Sequence, residues 1–413
     1  MDILQAGWVL PVSRPPIRGG RVAVDDGRVA WVGRAGDPGE PAGVVRDLGP
    51  GVLLPGLVNA HCHLELSHLA GCIPFGGGFV PWIEALVAAR GSASATASRP
   101  DAPARPGVEA DAAVRDATSD AIRFLEEHGT VAVGDVSNAL AHVDALAASR
   151  LHAVVFAELL AWDPARAAAT LAWAEERERA LAARLRPGLE LRLAAHAPHS
   201  VSPELIRLLV AHGGLAGVHL AESPDETRFL ADGGGDWPGF LQRRGLGHVA
   251  FDPPGTSPAR HLEDLGALRP GLVAVHGVQL EPEDRLLLAR RGVHLVLCPR
   301  SNRNLGVGTA NAPALLAAGV RLALGTDSLA SAQTLDVLDD AVLLHRQFPA
   351  LDPAAILRLA TLGGAEALGF QDLGAIASGK RAALAFAAAG SPVDDPHQHL
   401  LSGEARLVRV ETR

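Results

Sequence analysis

The stretch LLPGLVNAHCHLEL, from Leu53 to Leu66, decides the fold, because an apolar run enters it and two histidines stand near its end. Side chains of a β-strand alternate between its two faces, so His61 and His63 point the same way and Cys62 points the opposite way. Two imidazoles on one face at the end of a buried strand form half of a metal site. Since the chain has 17 histidines, such a pair also arises by chance, and the prediction depends on the rest of the sequence.

The composition excludes several classes of protein. No apolar run reaches the ~20 residues that cross a bilayer, and the N-terminus lacks a basic region followed by an apolar one. Only three cysteines occur, which is typical of a reducing compartment. A formal charge of −9 without a basic cluster disfavours nucleic-acid binding. We therefore expect a soluble, cytoplasmic protein with a small-molecule partner, and its oligomeric state stays open, with a homodimer as one alternative.

Beyond Gly56 the sequence alternates between strand-like apolar runs and segments with helical spacing. Strands alternating with helices imply a parallel sheet, and eight repeats imply a closed (β/α)8 barrel of the TIM type over residues 56–372. A doubly wound open sheet is the alternative, but it needs a glycine-rich phosphate turn after its first strand, and none is present. The predicted strands end near His61 and His63 and lie at Thr130–Asp135, His152–Leu160, Leu191–Ala197, Leu215–Ala221, Leu272–His276, Val293–Cys298 and Val320–Thr326.

The two ends of the chain look different from this central part. Residues 1–55 and 373–413 contain short β-branched runs separated by Gly, Asp and Pro turns. We expect the two pieces to form one small composite β-sandwich, with the barrel inserted between them. Residues 91–107 are polar and of low complexity, which predicts a surface loop.

Ionisable side chains follow the predicted barrel strands, where the catalytic groups of such barrels lie. His61, His63 and His219 offer neutral nitrogen atoms and Asp327 offers a carboxylate, a set suited to one divalent ion, with Zn²⁺ expected first and Fe²⁺ as the alternative. The ion would lower the pKa of a bound water and so supply hydroxide. His276 is placed to orient that water and accept its proton, and Glu222, three residues beyond a ligand, is placed to carry protons.

These motifs resemble the amidohydrolase superfamily, and specifically its mononuclear aminohydrolase branch. The resemblance covers nearly the whole chain and includes PGLVNAHCHLELS, HGTVAVGDVSN, APHSVSPEL, HLAESPDETRFL, CPRSNRNLG and GTDSLASAQTLDVLDD. It implies that Glu222 and His276 carry protons and that His199 contacts the substrate. Similar families include the aminofutalosine deaminases, the adenosylhomocysteine deaminases and the chlorohydrolase-like proteins, and HLELS, CPRSN and GTDSLAS point to the first of these.

Two departures from the family pattern bear on this interpretation. Ala383 stands where members usually carry an aspartate after Gly-Lys, but it lies in the predicted sandwich and not in the site. The binuclear branch bridges its two metals with a carbamylated lysine on strand four. Because Lys380 is the only lysine and lies outside the barrel, that branch is excluded.

The expected function is hydrolytic deamination of an aminopurine-type substrate, adenosine-like and with aminofutalosine as a candidate, in which hydroxide attacks the amino-bearing carbon and ammonia leaves. Glu222 would protonate the ring nitrogen, while Asp327 and His276 hold the hydroxide. The alternative is the opening of a cyclic amide or the dechlorination of a heteroaromatic ring by the same site, since a fold and a metal do not define a substrate. A metal-binding protein without catalysis is disfavoured, because Glu222 and His276 are both present.

Substrate contacts are predicted from residues near the strand ends. Phe79 and Trp82 could stack on a planar base, or they could pack a loop against the barrel rim. Glu65 and Glu158 could reach the pocket, or each could support a ligand histidine. Polar groups that follow strand seven are the remaining candidates, and they are Ser301 and Asn302.

Overall fold

The computed structural model describes residues 1–93 and 112–412 of the chain. Most of the predicted surface loop of residues 91–107 therefore lies outside the described residues. Its first three residues belong to a helix, because the helix that begins at Phe79 continues to Ala93.

Seven short strands precede the barrel and contribute to two sheets. In one sheet the strand order is β5-β4-β1-β6, with β1 antiparallel to β4 and parallel to β6. Asp26 and Gly27 have positive φ and form the tight turn between β4 and β5. The strands are β1 Asp2–Gln5, β2 Trp8–Val9, β3 Ile17–Arg18, β4 Gly20–Asp25, β5 Arg28–Arg34, β6 Val44–Asp47 and β7 Gly51–Pro55.

Eight parallel strands in sequence order form the central sheet of the described chain. Most of their residues are buried, as expected where helices cover the outside of a sheet and side chains fill its inside. The predicted (β/α)8 barrel is confirmed, and each predicted strand overlaps an observed one. The strands are β8 Leu57–Cys62, β9 Thr130–Ser137, β10 His152–Leu159, β11 Leu189–Ala195, β12 Gly217–Leu220, β13 Val273–His276, β14 His294–Leu297 and β15 Arg321–Leu324.

The barrel closes between its first and last strands, next to the histidine motif. Cys62 forms an isolated parallel bridge with Asp327. The carbonyl oxygen of His61 accepts hydrogen bonds from the backbone N–H groups of Thr326, at 2.9 Å, and Asp327, at 3.1 Å. The closure therefore brings His61 and Asp327 together although 266 positions separate them in the sequence.

Helices connect the barrel strands, and their ends follow sequence signals. Helix α5 begins at Pro203, and the side chain of Ser202 caps it by accepting a hydrogen bond from the N–H of Leu205. The helix ends at His212, and Gly213 follows it with a positive φ. The helices are α1 Phe79–Ala93, α2 Ala112–Glu127, α3 Val143–Ala148, α4 Ala167–Leu181, α5 Pro203–His212, α6 Pro224–Asp232, α7 Trp237–Arg243, α8 Pro258–Asp264, α9 Pro282–Arg291, α10 Pro299–Leu305, α11 Ala312–Ala317, α12 Val337–Gln347, α13 Pro353–Arg358, α14 Gly364–Leu368 and α15 Pro396–Leu401. Short 3₁₀ segments lie at Leu64–Leu69, Pro164–Arg166 and Ala182–Arg184, and a π-helical turn lies at Leu359–Gly363.

Strands from both ends of the chain share the second terminal sheet, in the order β17-β16-β7-β2-β3, where β16 is Leu384–Ala388 and β17 is Leu407–Val410. Between this sheet and the first one lies an apolar cluster that includes Leu4, Leu53 and Phe386. On these pairings we propose that residues 1–55 and 373–413 form the composite sandwich and residues 56–372 the barrel. The C-terminal piece was predicted as strands and turns alone, which is wrong at α15, where Asp395 caps a six-residue helix.

Another apolar cluster covers the end of the barrel where the carboxyl ends of the strands lie. It contains aromatic residues of α1, α6 and α7 together with Trp162. This layer separates the strand ends from solvent. None of the helices in the described ranges has both the length and the apolar character that crossing a bilayer requires.

Candidate active site and metal centre

The carboxyl ends of β8, β12, β13 and β15 bring most of the predicted metal and catalytic side chains into one buried group. Donor atoms of His61, His63 and His219 all lie within 4.8 Å of one another. The same spacing holds for donor atoms of Glu222, His276 and Asp327. No ion is present in the structure, so the geometry must show whether the group suits one.

The distances between donor atoms are short enough for one ion to reach them all. Nε2 of His63 and Nε2 of His219 are 3.3 Å apart. Oδ1 of Asp327 lies 3.5 Å from Nε2 of His63 and 3.8 Å from Nε2 of His61. Two ligand atoms that are each about 2.0–2.2 Å from the same Zn²⁺ are at most about 4.4 Å apart, and these three distances meet that limit. Nε2 of His61 is buried and has no hydrogen-bond partner in the described structure, as expected of an atom that awaits a ligand.

A hydrogen bond at Nδ1 of His219 orients its ring so that Nε2 faces this group. Its Nδ1 lies 2.9 Å from the carbonyl oxygen of His196, which can only accept, so Nδ1 carries the proton. Nε2 therefore presents its lone pair to the other ligand atoms. This arrangement is common for histidines that bind metals.

Burial sets the protonation states of these groups. Desolvation lowers the pKa of His61 and His63 to about 4. Both imidazoles are therefore neutral at pH 7, as metal ligands must be. Burial alone would raise the pKa of Asp327, but its contacts with the imidazoles of His61, His63 and His276 outweigh that effect and hold its pKa well below the ordinary range.

Burial favours the neutral forms of both Glu222 and His276. Burial, followed by the negative charges of Asp327 and Glu226, raises the pKa of Glu222 well above its usual value. Burial lowers the pKa of His276 to about 3. Oε1 of Glu222 is 3.6 Å from Nε2 of His276. A carboxyl group that burial drives towards its protonated form therefore faces a neutral imidazole, a pair suited to donating and accepting a proton.

The backbone is strained where these side chains leave the barrel. Ala221, His276 and Asp327 have φ values of 51°, 76° and 62°, a left-handed region that residues other than glycine seldom adopt. Gly325 avoids a steric clash in the same region. A Cβ atom at this position would lie 2.8 Å from the Cβ and carbonyl oxygen of His61, so only glycine lets β15 approach β8 this closely.

Two predicted substrate contacts lie against side chains that are predicted to bind the metal or carry protons. Ser301 donates a hydrogen bond to Oδ2 of Asp327 at 2.6 Å. Oδ1 of Asn302 lies 2.9 Å from Nδ1 of His276. Both residues are buried on α10, directly after β14. The structure thus brings Ser301 and Asn302 to the site, but it turns the contacting groups towards Asp327 and His276.

The two predicted carboxylates, Glu65 and Glu158, differ in whether both of their oxygen atoms accept hydrogen bonds. Glu65 accepts hydrogen bonds from Ser137, Arg90 and two backbone N–H groups, so its oxygen atoms are already engaged. Glu158 is closer to the metal ligands, with Oε1 3.4 Å from Nδ1 of His219. That oxygen atom is buried without a hydrogen-bond partner in the described structure, whereas Oε2 accepts from Asn138 at 2.8 Å.

The aromatic candidates lie in the apolar layer above the site. The indole N–H of Trp82 donates to the carbonyl oxygen of Ala330 at 3.3 Å, which ties α1 to the loop after β15. His199 lies between Phe79, at 6.1 Å between ring centroids, and Trp237, at 4.3 Å. Both ring nitrogen atoms of His199 are buried and lack hydrogen-bond partners within the described residues, and Nδ1 lies 3.9 Å from Oε2 of Glu226. Of the predicted substrate contacts, His199 thus offers two ring nitrogen atoms that make no hydrogen bond within the described residues.

Three contributors to the site were missed in the sequence. Ser331 donates to Oδ2 of Asp327 at 2.9 Å. Glu226 accepts hydrogen bonds from the N–H groups of Ala221 and Glu222 at 3.0 and 2.8 Å, and so holds the strained turn after β12. Trp237 packs on His199. A signal existed only for Glu226, because Ser223 and Glu226 have the spacing of a capping box.

Comparisons with known proteins agree with this geometry. Residues 52–405 match the model of the family described as "Amidohydrolase family". The aminodeoxyfutalosine deaminase of Deinococcus radiodurans is 35% identical over 337 residues, which cover 77% of this chain and 73% of that protein. The 5-methylthioadenosine/S-adenosylhomocysteine deaminase of Moorella thermoacetica is 30% identical in an alignment of 429 positions, gaps included, that covers 97% of this chain and 88% of that protein.

A solved structure also resembles the whole chain. An adenosine deaminase from Xanthomonas campestris, crystallised with bound zinc, superposes with a TM-score of 0.77 and 27% sequence identity. The match covers 98% of this chain and 89% of that one. The sequence comparison and the structural comparison therefore both find deaminases among the similar proteins.

Proposed function

The chain belongs to the amidohydrolase family, and from that premise we propose that it is a hydrolytic deaminase that depends on one divalent metal ion and acts on an aminopurine nucleoside. Water replaces the exocyclic amino group of the base, so that a carbon–nitrogen bond breaks, a carbonyl forms and ammonia leaves. The observation that carries the proposal is the acid–base pair of Glu222 and His276, 3.6 Å apart beside the ligand group.

His61, His63, His219 and Asp327 would hold the ion, with Zn²⁺ as the first candidate, because nitrogen and carboxylate donors at these distances suit it. The zinc in the Xanthomonas campestris deaminase supports the same choice. When bound, such an ion supplies a water molecule that loses its proton near neutral pH. The remaining steps depend on the protein side chains.

His276 accepts a proton at Nε2, which is free because Nδ1 faces Asn302. Glu222 donates its proton to the ring nitrogen next to the reacting carbon, and burial favours the protonated form of Glu222 by raising its pKa. Asp327 stays ionised and is held by the hydroxyl groups of Ser301 and Ser331. Each residue thus has one task at a defined atom.

We propose that the base enters beneath the apolar layer and meets His199, whose two unpartnered nitrogen atoms can bind polar atoms of its ring. Phe79 and Trp237, on either side of His199, offer faces or edges for the planar base. Glu158 is a second candidate contact, because its Oε1 is buried and unpartnered in the described structure. Trp82 forms part of the wall, whereas the oxygen atoms of Glu65 are already used within the protein.

The experiment that tests the proposal measures ammonia release by zinc-loaded protein from adenosine, 5-methylthioadenosine, S-adenosylhomocysteine and aminodeoxyfutalosine. Aminodeoxyfutalosine is the preferred candidate, because the Deinococcus radiodurans relative is named as an aminodeoxyfutalosine deaminase. A cyclic amide and a chlorinated triazine complete the panel. Turnover of one of the aminopurines supports the proposal. Turnover of the cyclic amide or the chlorotriazine alone would overturn it and favour the alternative that we derived from the sequence.

A further inference from the structure

Asn302 has a role that its position in the sequence does not show. Helix α10 begins at Pro299, immediately after β14, and Asn302 lies in its first turn. Oδ1 of Asn302 is 2.9 Å from Nδ1 of His276, at the end of the neighbouring strand β13. Each of the two residues is 1% exposed, so no solvent competes for this contact.

The contact decides which nitrogen atom of His276 carries the proton. A neutral imidazole has one N–H and one lone pair, and the partner of either nitrogen selects the tautomer. The amide oxygen of Asn302 can only accept, so Nδ1 must donate to it. The lone pair then lies on Nε2, the atom that faces Glu222 at 3.6 Å.

We propose that Asn302 is a positioning residue, which holds His276 as the Nδ1–H tautomer and so keeps Nε2 free to accept a proton during deamination. The inference rests on the proposed function for its consequence, but the tautomer itself is a property of the protein alone. With the opposite tautomer, Nε2 would present a hydrogen atom to Glu222 and His276 could not act as a base.

The anchoring of α10 explains why Asn302 can impose this choice. Arg300, buried in the same helix turn, binds both Asp340, at 2.8 Å, and the carbonyl oxygen of Asp336, at 2.9 Å. Ser301 is held by Asp327, and the N–H of Asn302 donates to the carbonyl oxygen of Cys298 at 3.0 Å. The backbone that carries the Asn302 side chain is therefore fixed next to His276.

A rotated amide is the alternative arrangement of the same atoms. If Nδ2 of Asn302 faced His276, Nδ1 would have to accept and the proton would lie on Nε2. The two arrangements differ in the position of one proton, and nitrogen NMR of histidine distinguishes them directly.

The first experiment is a heteronuclear NMR spectrum of zinc-loaded protein labelled with ¹⁵N-histidine. The signals of His276 are identified as those that vanish in His276→Asn. We expect a neutral ring with the proton on Nδ1, and we expect Asn302→Leu to lose that preference. A proton on Nε2 in the unchanged protein, or an unaltered spectrum in Asn302→Leu, would refute the inference. Both outcomes are independent of any substrate, so a failure of the proposed function would not be confused with a failure of this one.

The second experiment uses the best substrate of the aminopurine panel. Asn302→Leu keeps the volume but removes the acceptor, so kcat should fall by about 10- to 100-fold, with KM and zinc content nearly unchanged. Asn302→Asp restores an atom that can only accept and should recover most of that loss. If Asp were as slow as Leu at this position, or if only KM changed, the assignment would be wrong.

Asn311→Leu provides the matched control for lost stability. Asn311 is exposed, caps α11 by accepting from the N–H of Ala314 at 3.1 Å, and lies outside the site. The same substitution there should lower the melting temperature and leave kcat unchanged. A fall of kcat in this control as large as that in Asn302→Leu would show that destabilisation alone explains the effect, and the inference would be lost.

Discussion

Replacement of Glu222 by glutamine separates proton transfer from metal binding. Burial and the negative charges of Asp327 and Glu226 raise the pKa of Glu222 and so favour its protonated form. Glutamine has nearly the shape of that protonated acid, and its NH₂ group can still donate a hydrogen bond. The substitution therefore preserves the packing near Nε2 of His276, at 3.6 Å, but it removes the transferable proton.

The expected loss follows from the role of this one proton. General acid–base catalysis contributes about 10²- to 10⁴-fold in rate, which is roughly 3–5 kcal/mol of transition-state stabilisation. We expect kcat to fall by that factor and KM to change little. In the unchanged enzyme, activity should also fall at alkaline pH, since the acid form of Glu222 is lost as the pH rises through its raised pKa. That decrease should be missing from the residual activity of Glu222→Gln.

The assay combines steady-state ammonia release between pH 5 and 10 with elemental analysis of the same samples. Zinc content should stay at the wild-type value, because the four proposed ligands are intact. Glu65→Gln is the matched control, since it makes the same change in another buried carboxylate near β8. Loss of zinc from Glu222→Gln would make Glu222 a ligand. Near-normal turnover would refute its role as the acid.

Three further predictions concern the ion, the barrel closure and stability. His61→Ala and His219→Ala should each lose most of about one bound ion per chain and the activity with it, and two tightly bound ions in the unchanged protein would contradict the mononuclear site. Gly325→Ala should lower zinc content and destabilise the protein by about 1–3 kcal/mol, because its Cβ would lie 2.8 Å from backbone of His61; a normal zinc content and melting curve would contradict this. Burial raises the pKa of Asp336 from its ordinary value of 3.8 to about 6, so the folded state holds this proton more tightly than the unfolded state does. The resulting stabilisation is fully present below pH 3.8 and is lost as the pH rises through 6. Asp336→Asn keeps the helix cap and should therefore add about 2–3 kcal/mol at pH 8 and little near pH 4, measured as the free energy of unfolding in urea, and an equal effect at both values would exclude the titration.

The barrel and the clustering of the predicted ligands were predictable because their signals are local. Each predicted strand is an apolar run, several of these runs end at or beside a polar residue, and helices such as α5 are delimited by a Ser-Pro start and a glycine stop. His61, His63, His219 and Asp327 needed only the rule that strand ends of a barrel meet. Periodicity and residue type were sufficient for these parts.

The contacts around the ligand group were not predictable, because they depend on the direction of side chains after a turn. Ser301 and Asn302 were recognised as polar residues near the site, but sequence alone does not show that they face Asp327 and His276. The left-handed backbone at His276 and Asp327 carries no local signal either, since surrounding contacts impose it. Helix α15 was missed although Asp395 and Pro396 are a cap signal, because six residues give too little periodicity.

The double hydrogen bond at the carbonyl oxygen of His61 has a consequence for how the protein matures. Thr326 and Asp327 can reach that oxygen atom only after β15 has been synthesised and has docked on β8. A growing chain on the ribosome therefore exposes His61, His63 and His219 long before the fourth ligand exists. The contacts that close the barrel are thus the same contacts that bring Asp327 to the histidines, so the complete set of predicted ligands exists only in a finished barrel.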